Sequence, residues 1–438
     1  MEPVGVISDR FSYGRVFKQT TTQLLAGELT VLKYTDFVDP TYKPKDSDLI
    51  CTFTFEPEGI TLKEAAGAIA AESSVGTWTE LTTEKPYIRK LAAHVFRLEG
   101  NFAKIAYPAE LFEAGNMPNI LSSVAGNVFG LKALRSLRLL NIELPAELAK
   151  SFEGPKYGIE GIRKLLKVKD RPLVGTIIKP KLGLKPEDHA KVAYDAWAGG
   201  CDIVKDDENL NSQKFNPFEE RLHETLDARD RAEDETGEKK VYMINITADT
   251  ETMLDRADLV FDHGGEYVMV DILTCGWAAL QTLRNQDLRL VIHAHRAGHA
   301  AFTKNPLHGI AMRTIATVAR VIGVDQLHVG TVVGKMSETK AEVLENIEAC
   351  KMPMHGLKPV MPVASGGIHP RLVPALLEVF GKDVVIQAGG GIHGHPEGTK
   401  TGALAMRHAV DAALKGISLE EYAKTHPELQ AALETWKV

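Results

Sequence analysis

Leu173-Val174-Gly175-Thr176-Ile177-Ile178 runs into Lys179-Pro180-Lys181, and a polar loop follows. The next stretch opens at Pro186-Glu187-Asp188 and closes at Gly199-Gly200, and a second apolar run, Cys201-Asp202-Ile203-Val204, ends in Lys205-Asp206-Asp207-Glu208. This reads as strand, loop, helix and strand. Proline suits the first turn of a helix, acids there favour the positive dipole end, and a glycine pair stops it. The alternation recurs, with apolar runs at 173–178, 201–204, 241–246, 267–273, 290–293, 326–329, 362–364 and 384–387. Eight such runs with helical segments between most of them are what a parallel (β/α)8 barrel requires. A doubly wound open sheet shows the same alternation and stays open as the alternative.

Upstream the texture differs. Residues 49–55 alternate as a strand, and 62–72 and 119–128 read as helices, an α+β pattern. The breaker-rich segment 152–158, Phe-Glu-Gly-Pro-Lys-Tyr-Gly, reads as a hinge. The expected organisation is therefore an N-terminal α+β domain over residues 1–154 and a barrel over 155–438. That second part is long enough for a barrel of roughly 250 residues plus short insertions.

The chain has 438 residues and a formal net charge of −7, from 51 Lys and Arg against 58 Asp and Glu. That balance argues against a nucleic-acid partner, which calls for a basic face. No stretch approaches the roughly 20 apolar residues that span a bilayer. The opening Met1-Glu2-Pro3-Val4-Gly5 lacks a secretory pattern. Cys51, Cys201, Cys275 and Cys350 are widely separated and read as buried hydrophobes in a reducing, cytoplasmic setting.

The polar residues cluster where the runs end. Lys179 and Lys181 follow the first, and Lys205 to Glu208 the second. His293, His295 and Arg296 close the fifth, His328 and Thr331 the sixth, Ser365-Gly366-Gly367 the seventh and Gly389-Gly390-Gly391 the eighth. In a barrel these ends share the face that carries catalysis.

Alternate residues of a strand share a face, so Lys205 and Asp207 point inward together, Asp206 points away, and Glu208 lies past the strand end. Two carboxylates suit Mg2+, which takes oxygen ligands. A lysine ammonium beside that metal would repel it, so Lys205 is either an ion-pair partner or an amine converted by CO2 into an anionic carbamate. An isolated Lys-Asp-Asp-Glu is also consistent with a plain salt-bridged cluster. Lys179 and Lys181 share a face about a proline, and a desolvated lysine there would serve acid/base chemistry, whereas a solvated one would not. His293 and His295 lack a third zinc ligand, and Arg296 suits a phosphate, which its planar fork binds bidentately. His328 sits one strand later, and His293 and His299 read as core histidines. The two glycine-rich ends let backbone N–H groups approach an anion. With Arg296 and His328 opposite them, the substrate would carry two phosphates. Gly330-Thr331-Val332-Val333-Gly334-Lys335 reads as a loop able to carry Lys335 over the site, or as an ordinary loop with an exposed lysine.

The segments GTIIKPKLGL (175–184), GGCDIVKDDENLNSQ (199–213), HAHRAGHA (293–300), HVGTVVGKM (328–336), ASGGIHP (364–370) and QAGGGIHGHP (387–396) resemble the large chain of ribulose-1,5-bisphosphate carboxylase/oxygenase, RuBisCO. AAESSVGTWTE (70–80) and AGNVFGLKALRSLRL (125–139) agree with it in the first domain. The length resembles the archaeal-type form III enzymes most. The resemblance implies a TIM barrel preceded by a ferredoxin-like α+β domain. It implies Mg2+ held by carbamylated Lys205 with Asp207 and Glu208, and catalysis by Lys179, Lys205, His295 and Lys335. Lys181 would support the metal cluster at the substrate site. Arg296 and His328 would hold one phosphate, and Thr77, Trp78, Gly366, Gly367, Gly389 and Gly390 the other, with Ser365 on a substrate hydroxyl. Glu72, Thr77, Trp78 and Asn127 would come from a neighbouring subunit, so the minimum active unit would be a homodimer, alone or in an assembly of dimers. Ribulose 1,5-bisphosphate, CO2 and the competing O2 would be the reactants, and an enolase or isomerase of another sugar phosphate is the alternative. Three positions depart from the family pattern: Ile177 replaces a threonine, Gly298 replaces a methionine, and Lys335 is followed by Met336-Ser337-Glu338 where a glutamate is usual two residues on.

Overall fold

The computed structural model describes residues 33–79, 81–334 and 338–437. Four strands come first: β1 (Leu49–Pro57), β2 (His94–Glu99), β3 (Phe102–Tyr107) and β4 (Leu134–Glu143). Then follow β5 (Leu173–Ile177), β6 (Ile203–Lys205), β7 (Val241–Asn245), β8 (Tyr267–Asp271), β9 (Val291–His295), β10 (Gly309–Ile310), β11 (Gln326–His328), β12 (Met361–Ser365) and β13 (Val385–Gln387). Five of them form a sheet ordered β10-β4-β1-β3-β2, and the other eight close a barrel, β11-β12-β13-β5-β6-β7-β8-β9. The barrel pairs are all parallel, so the open-sheet alternative falls.

In the five-stranded sheet β1 lies between β3 and β4, antiparallel to both. Cys51, Phe53 and Phe55 point to one face and are buried, in keeping with the period-2 pattern. The helix Leu62–Glu72 forms where expected because Thr61 and Glu64 make a reciprocal capping box. The helix expected over 119–128 instead spans Met117–Val124, and a 3-10 turn occupies Asn127–Gly130. The break falls at Gly126, where a Cβ would stand 2.0 Å from the Ser122 carbonyl oxygen. β10 leaves the barrel segment to pair with β4, and Arg138 of β4 donates to the carbonyls of Asn305 and Thr303. The sheet and the barrel are thus tied by backbone as well as by side chains.

Inside the barrel the alternation sorts chemistry by height. Leu173, Ile203, Val241, Met243, Tyr267, Met269, Val291, Met361, Val363 and Val385 form one apolar cluster, joined by Ile162 and Leu166 of the helix Gly158–Leu166. Two residues further along the same faces stand Lys205, Asn245, Asp271, His293 with His295, Ser365 and Gln387. Six of the eight barrel strands therefore carry packing residues low and polar groups high. The outward set, including Val174, Val204, Ile244, Val268, Val270, Ile292 and Leu327, belongs to the second apolar cluster with the surrounding helices. Among the described residues no helix is long and apolar enough to cross a membrane. All four cysteines are free, three of them buried.

Candidate active site

The strand ends meet in a mouth of about 480 Å³, lined by residues that include Ile177, Lys179, Lys205, Glu208, His295, Arg296, His328, Ser365, Gly366, Gly367, Gly389 and Gly390. Lys205 is the last residue of β6 and not the first of its loop, so its ammonium is wholly buried. It donates to the Asp206 carbonyl at 2.6 Å and to Met269 Sδ at 2.9 Å, with Glu208 Oε2 3.9 Å away. Burial lowers the Lys205 pKa, and Glu208, Asp271 and Asp207 only partly oppose this. The shift moves the group towards its neutral amine form. Burial also raises the Glu208 carboxyl, but Lys205 and His295 outweigh it, leaving the net shift downward.

Asp207 is buried and accepts from Lys179 Nζ at 2.7 Å. The Lys179 side chain is 37% exposed, so it is an ion-pair partner and not the desolvated lysine that sequence reasoning allowed. Lys181 turns outward, 3.3 Å from Asn209 Oδ1, and is not among the residues lining the mouth. Asp206 points away, as its strand phase requires. It accepts from Tyr242 at 2.7 Å, the Asn245 N–H at 3.0 Å and Arg221 Nε at 3.2 Å, with His189 Nε2 at 3.1 Å. Burial pushes its carboxyl up, yet Arg221 and His189 hold it at about 2.

His295 places Nδ1 2.6 Å from Asp271 Oδ1 and Nε2 3.7 Å from Glu208. If Nδ1–H donates to Asp271, the other nitrogen faces the mouth. A buried chain continues from Gln326 Oε1 to His293 Nδ1 (2.9 Å), from His293 Nε2 to His328 Nε2 (2.9 Å), and from His328 Nδ1 to Ser365 Oγ (2.7 Å). Burial, followed by neighbouring Lys205, drives His293 down to about 3, and burial with His295 lowers His328 well below the usual range. His293 is the core histidine expected. His299 sits at the rim, Nδ1 3.0 Å from Thr303 Oγ1.

Arg296 is buried and paired with Glu338 through Nη2, a partner not foreseen. On the opposite side Gly389 comes close to Lys179, and a Cβ there would lie 3.1 Å from Lys179 Cε. Gly391 packs backbone to backbone, where a Cβ would stand 2.0 Å from the Ile368 carbonyl oxygen. Gly330 and Gly334 have φ of +90° and +87°, and Lys335 lies outside the described residues. Glu72 accepts from Tyr34 at 2.8 Å, Trp78 is 81% exposed and Asn127 is exposed; none of these, nor Thr77, lines this mouth. Asp271, Asn245 and Gln326 were hidden from sequence reasoning within or beside apolar runs. The signal that could have found them is their phase, since each shares the inward face of its strand.

Lysines, carboxylates, imidazoles and a guanidinium gathered at the C-terminal mouth of a (β/α)8 barrel make this a barrel enzyme. The model of the ribulose bisphosphate carboxylase large chain, catalytic domain, matches residues 158–436, and that of its N-terminal domain matches 36–148. The ribulose bisphosphate carboxylase of Pyrococcus abyssi is 51% identical over 418 residues, 94% of this chain and 99% of that protein. The octameric RuBisCO of Pyrococcus horikoshii, solved with sulfate ion, superposes with a TM-score of 0.91 at 50% identity, covering 94% of this chain and 99% of that one. The dimeric archaeal RuBisCO of Hyperthermus butylicus gives 0.86 at 48% identity, covering 92% and 99%. The chain belongs to the ribulose bisphosphate carboxylase large-chain family.

Proposed function

We propose that this chain combines ribulose 1,5-bisphosphate with CO2 and water, breaking the C2–C3 bond to give two molecules of 3-phosphoglycerate, with O2 as a competing electrophile. The observation that carries this reading is Lys205, wholly buried beside Asp207 and Glu208 at the end of β6, in a chain of this family.

The donor set fits Mg2+ only after one change. Among the described residues no three His, Cys, Asp or Glu side chains are grouped to hold a metal. Asp207 and Glu208 supply two carboxylates, and Lys205 as an ammonium would oppose a cation. A neutral lysine amine that bonds through nitrogen to the carbon of CO2 and releases one proton to solvent would become an anionic oxygen donor, completing a three-ligand set suited to a hard cation. Lys205, Asp207 and Glu208 would hold Mg2+, which when bound polarises the C2 carbonyl and C3 hydroxyl of the sugar.

The remaining roles belong to the chain's own groups. Lys179, which lines the mouth, would exchange protons with the enediolate once bound substrate withdraws it from solvent. His295, steadied by Asp271, would hold the C3 hydroxyl and pass its proton. Arg296 and His328 would seat one phosphate, and the backbone of Gly366, Gly367, Gly389 and Gly390 the other. Ser365 would meet a substrate hydroxyl, Lys181 would support the acidic cluster, and Lys335 would stabilise the new carboxylate. Glu72, Thr77, Trp78 and Asn127, absent from the mouth of their own chain, would complete the mouth of a second copy, making a homodimer the active unit. The free thiols fit a cytoplasmic enzyme.

Protein preincubated with Mg2+ and bicarbonate should fix labelled CO2 into acid-stable product on addition of ribulose bisphosphate. No label, together with turnover of another sugar phosphate, would overturn the reading in favour of an enolase or isomerase.

A further inference from the structure

Arg296 separates two spaces. One is the mouth; the other is an adjoining cavity of about 340 Å³ lined by Arg138, Lys304, Arg313, Glu338 and Glu342 among others. Glu338 reaches Arg296 from that second space, for it lines the cavity and not the mouth. Its carboxylate accepts from Arg296 Nη2, and His299 Nε2 lies 3.9 Å from the same oxygen. Both partners are largely withdrawn from solvent, with side-chain exposures of 6% and 13%. The approach depends on Gly330, where a Cβ would stand 3.2 Å from Arg296 Nη2 and 3.3 Å from the Glu338 carboxyl carbon.

The pair is incompletely matched. Arg296 Nη1 and Glu338 Oε2 are both buried without a hydrogen-bond partner. A carboxylate that filled the guanidinium fork would use both oxygens on two parallel N–H groups. Here one arm of the fork and one carboxylate oxygen are left unmatched, so the pair is weaker than a full bidentate one. A buried, unpaired guanidinium is costly, so a carboxylate that neutralises it in the absence of ligand stabilises the free protein.

We propose that Glu338 is an internal competitor for the phosphate seat at Arg296. It occupies the guanidinium in the free enzyme and gives way to a phosphate dianion. Because the two anions cannot share one buried fork without strong repulsion, each phosphate that binds must displace the carboxylate. The adjoining cavity receives it: its wall carries Arg138 and Lys304 as replacement cations, beside Glu342, Glu345 and an Arg313 already paired with Glu348 at 2.8 Å. Glu338 is thus a positioning residue that sets the affinity of one phosphate seat, and its position three residues after Lys335 distinguishes this chain from the family pattern. The inference rests on the reading of Arg296 as a phosphate seat.

The test measures inorganic phosphate binding to the full-length protein by calorimetry, and KM and kcat for ribulose bisphosphate, in wild type, Glu338→Gln and Arg296→Lys. Glu338→Gln removes the competing charge at constant shape, so phosphate should bind about fivefold more tightly and KM should fall similarly, with a smaller change in kcat. Without phosphate the same variant should melt earlier than wild type, and phosphate should restore it by a larger margin. Arg296→Lys keeps the charge but loses the fork, and should weaken the phosphate component altogether. If Arg296→Lys weakens phosphate binding while Glu338→Gln leaves it unchanged or weaker, the competitor role is overturned and the seat stands. If neither variant alters phosphate binding, the seat itself is overturned and the competitor with it.

Discussion

Asp206→Asn tests the scaffold behind the buried Lys205. Asp206 and Arg221 are both fully buried and face each other across the strand–helix layer. Replacing the carboxylate by an amide leaves the Arg221 charge without its counterion. Breaking a buried pair in this way costs ~3–5 kcal/mol. The titration of Asp206 supplies a separate figure. A carboxyl held at about 2 in the fold, against 3.8 ordinarily, contributes ~2 kcal/mol. The second value is smaller because it compares the carboxylate with its own protonated form, which keeps its place and some hydrogen bonds. Together they bracket a loss of ~2–5 kcal/mol, or ~2–5 °C in melting temperature for a chain of this length. Calorimetric melting near neutral pH reads the loss. Because the folded pKa is depressed, the contribution is complete above about pH 4 and disappears as pH falls towards about 2, so the variant should lack that part of the acid slope. Asp206→Asn combined with Arg221→Met should be less unstable than the sum of the single variants. A single variant melting within ~1 °C of wild type, or strict additivity in the pair, would refute the argument.

Three further outcomes follow from the same geometry. Lys205→Ala should abolish CO2-dependent activation and leave the far-ultraviolet circular dichroism unchanged, and retained activation would remove Lys205 from the metal set. His293, lowered by burial to about 3, is neutral in the fold, so its contribution is present above about pH 6.5 and lost as pH falls through that interval. His293→Asn should therefore flatten the decline in melting temperature between pH 6.5 and about pH 4, where wild type loses on the order of 3 kcal/mol from this group. Gly391→Ala drives a methyl into the Ile368 carbonyl and should cost ~1–3 kcal/mol by chemical denaturation, with weakened binding of the phosphate served by that loop.

All eight barrel strands were legible because each is a short apolar run punctuated by polar loops, and parallel strands buried on both faces leave that trace. The ends were less legible. Lys205 and His295 belong to their strands, and the misreading arose because a functional side chain on the inward face breaks an apolar run one or two residues early. Residues 119–128 looked continuously helical because nothing local announces that Gly126 must pass close under Ser122. The inward phase of Lys205 and Asp207 and the outward phase of Asp206 followed from period two alone. What encloses Asp206 did not, for Arg221, Tyr242 and His189 come from three separate segments. Glu338 was noticed only as a displaced acid; its placement on Arg296 is a tertiary fact.

The three residues of β6 and the two that follow have a consequence for assembly. Scaffold and reagent sit on adjacent positions, Asp206 clamped from behind while Lys205 faces the mouth. A slip of one residue would exchange them, leaving a carboxylate among methionines and a lysine against Arg221. Such an error would be unstable and, on the role proposed for Lys205, inert as well. A barrel that closes in the wrong register therefore cannot persist as a half-working catalyst, and the polypeptide proofreads its own threading.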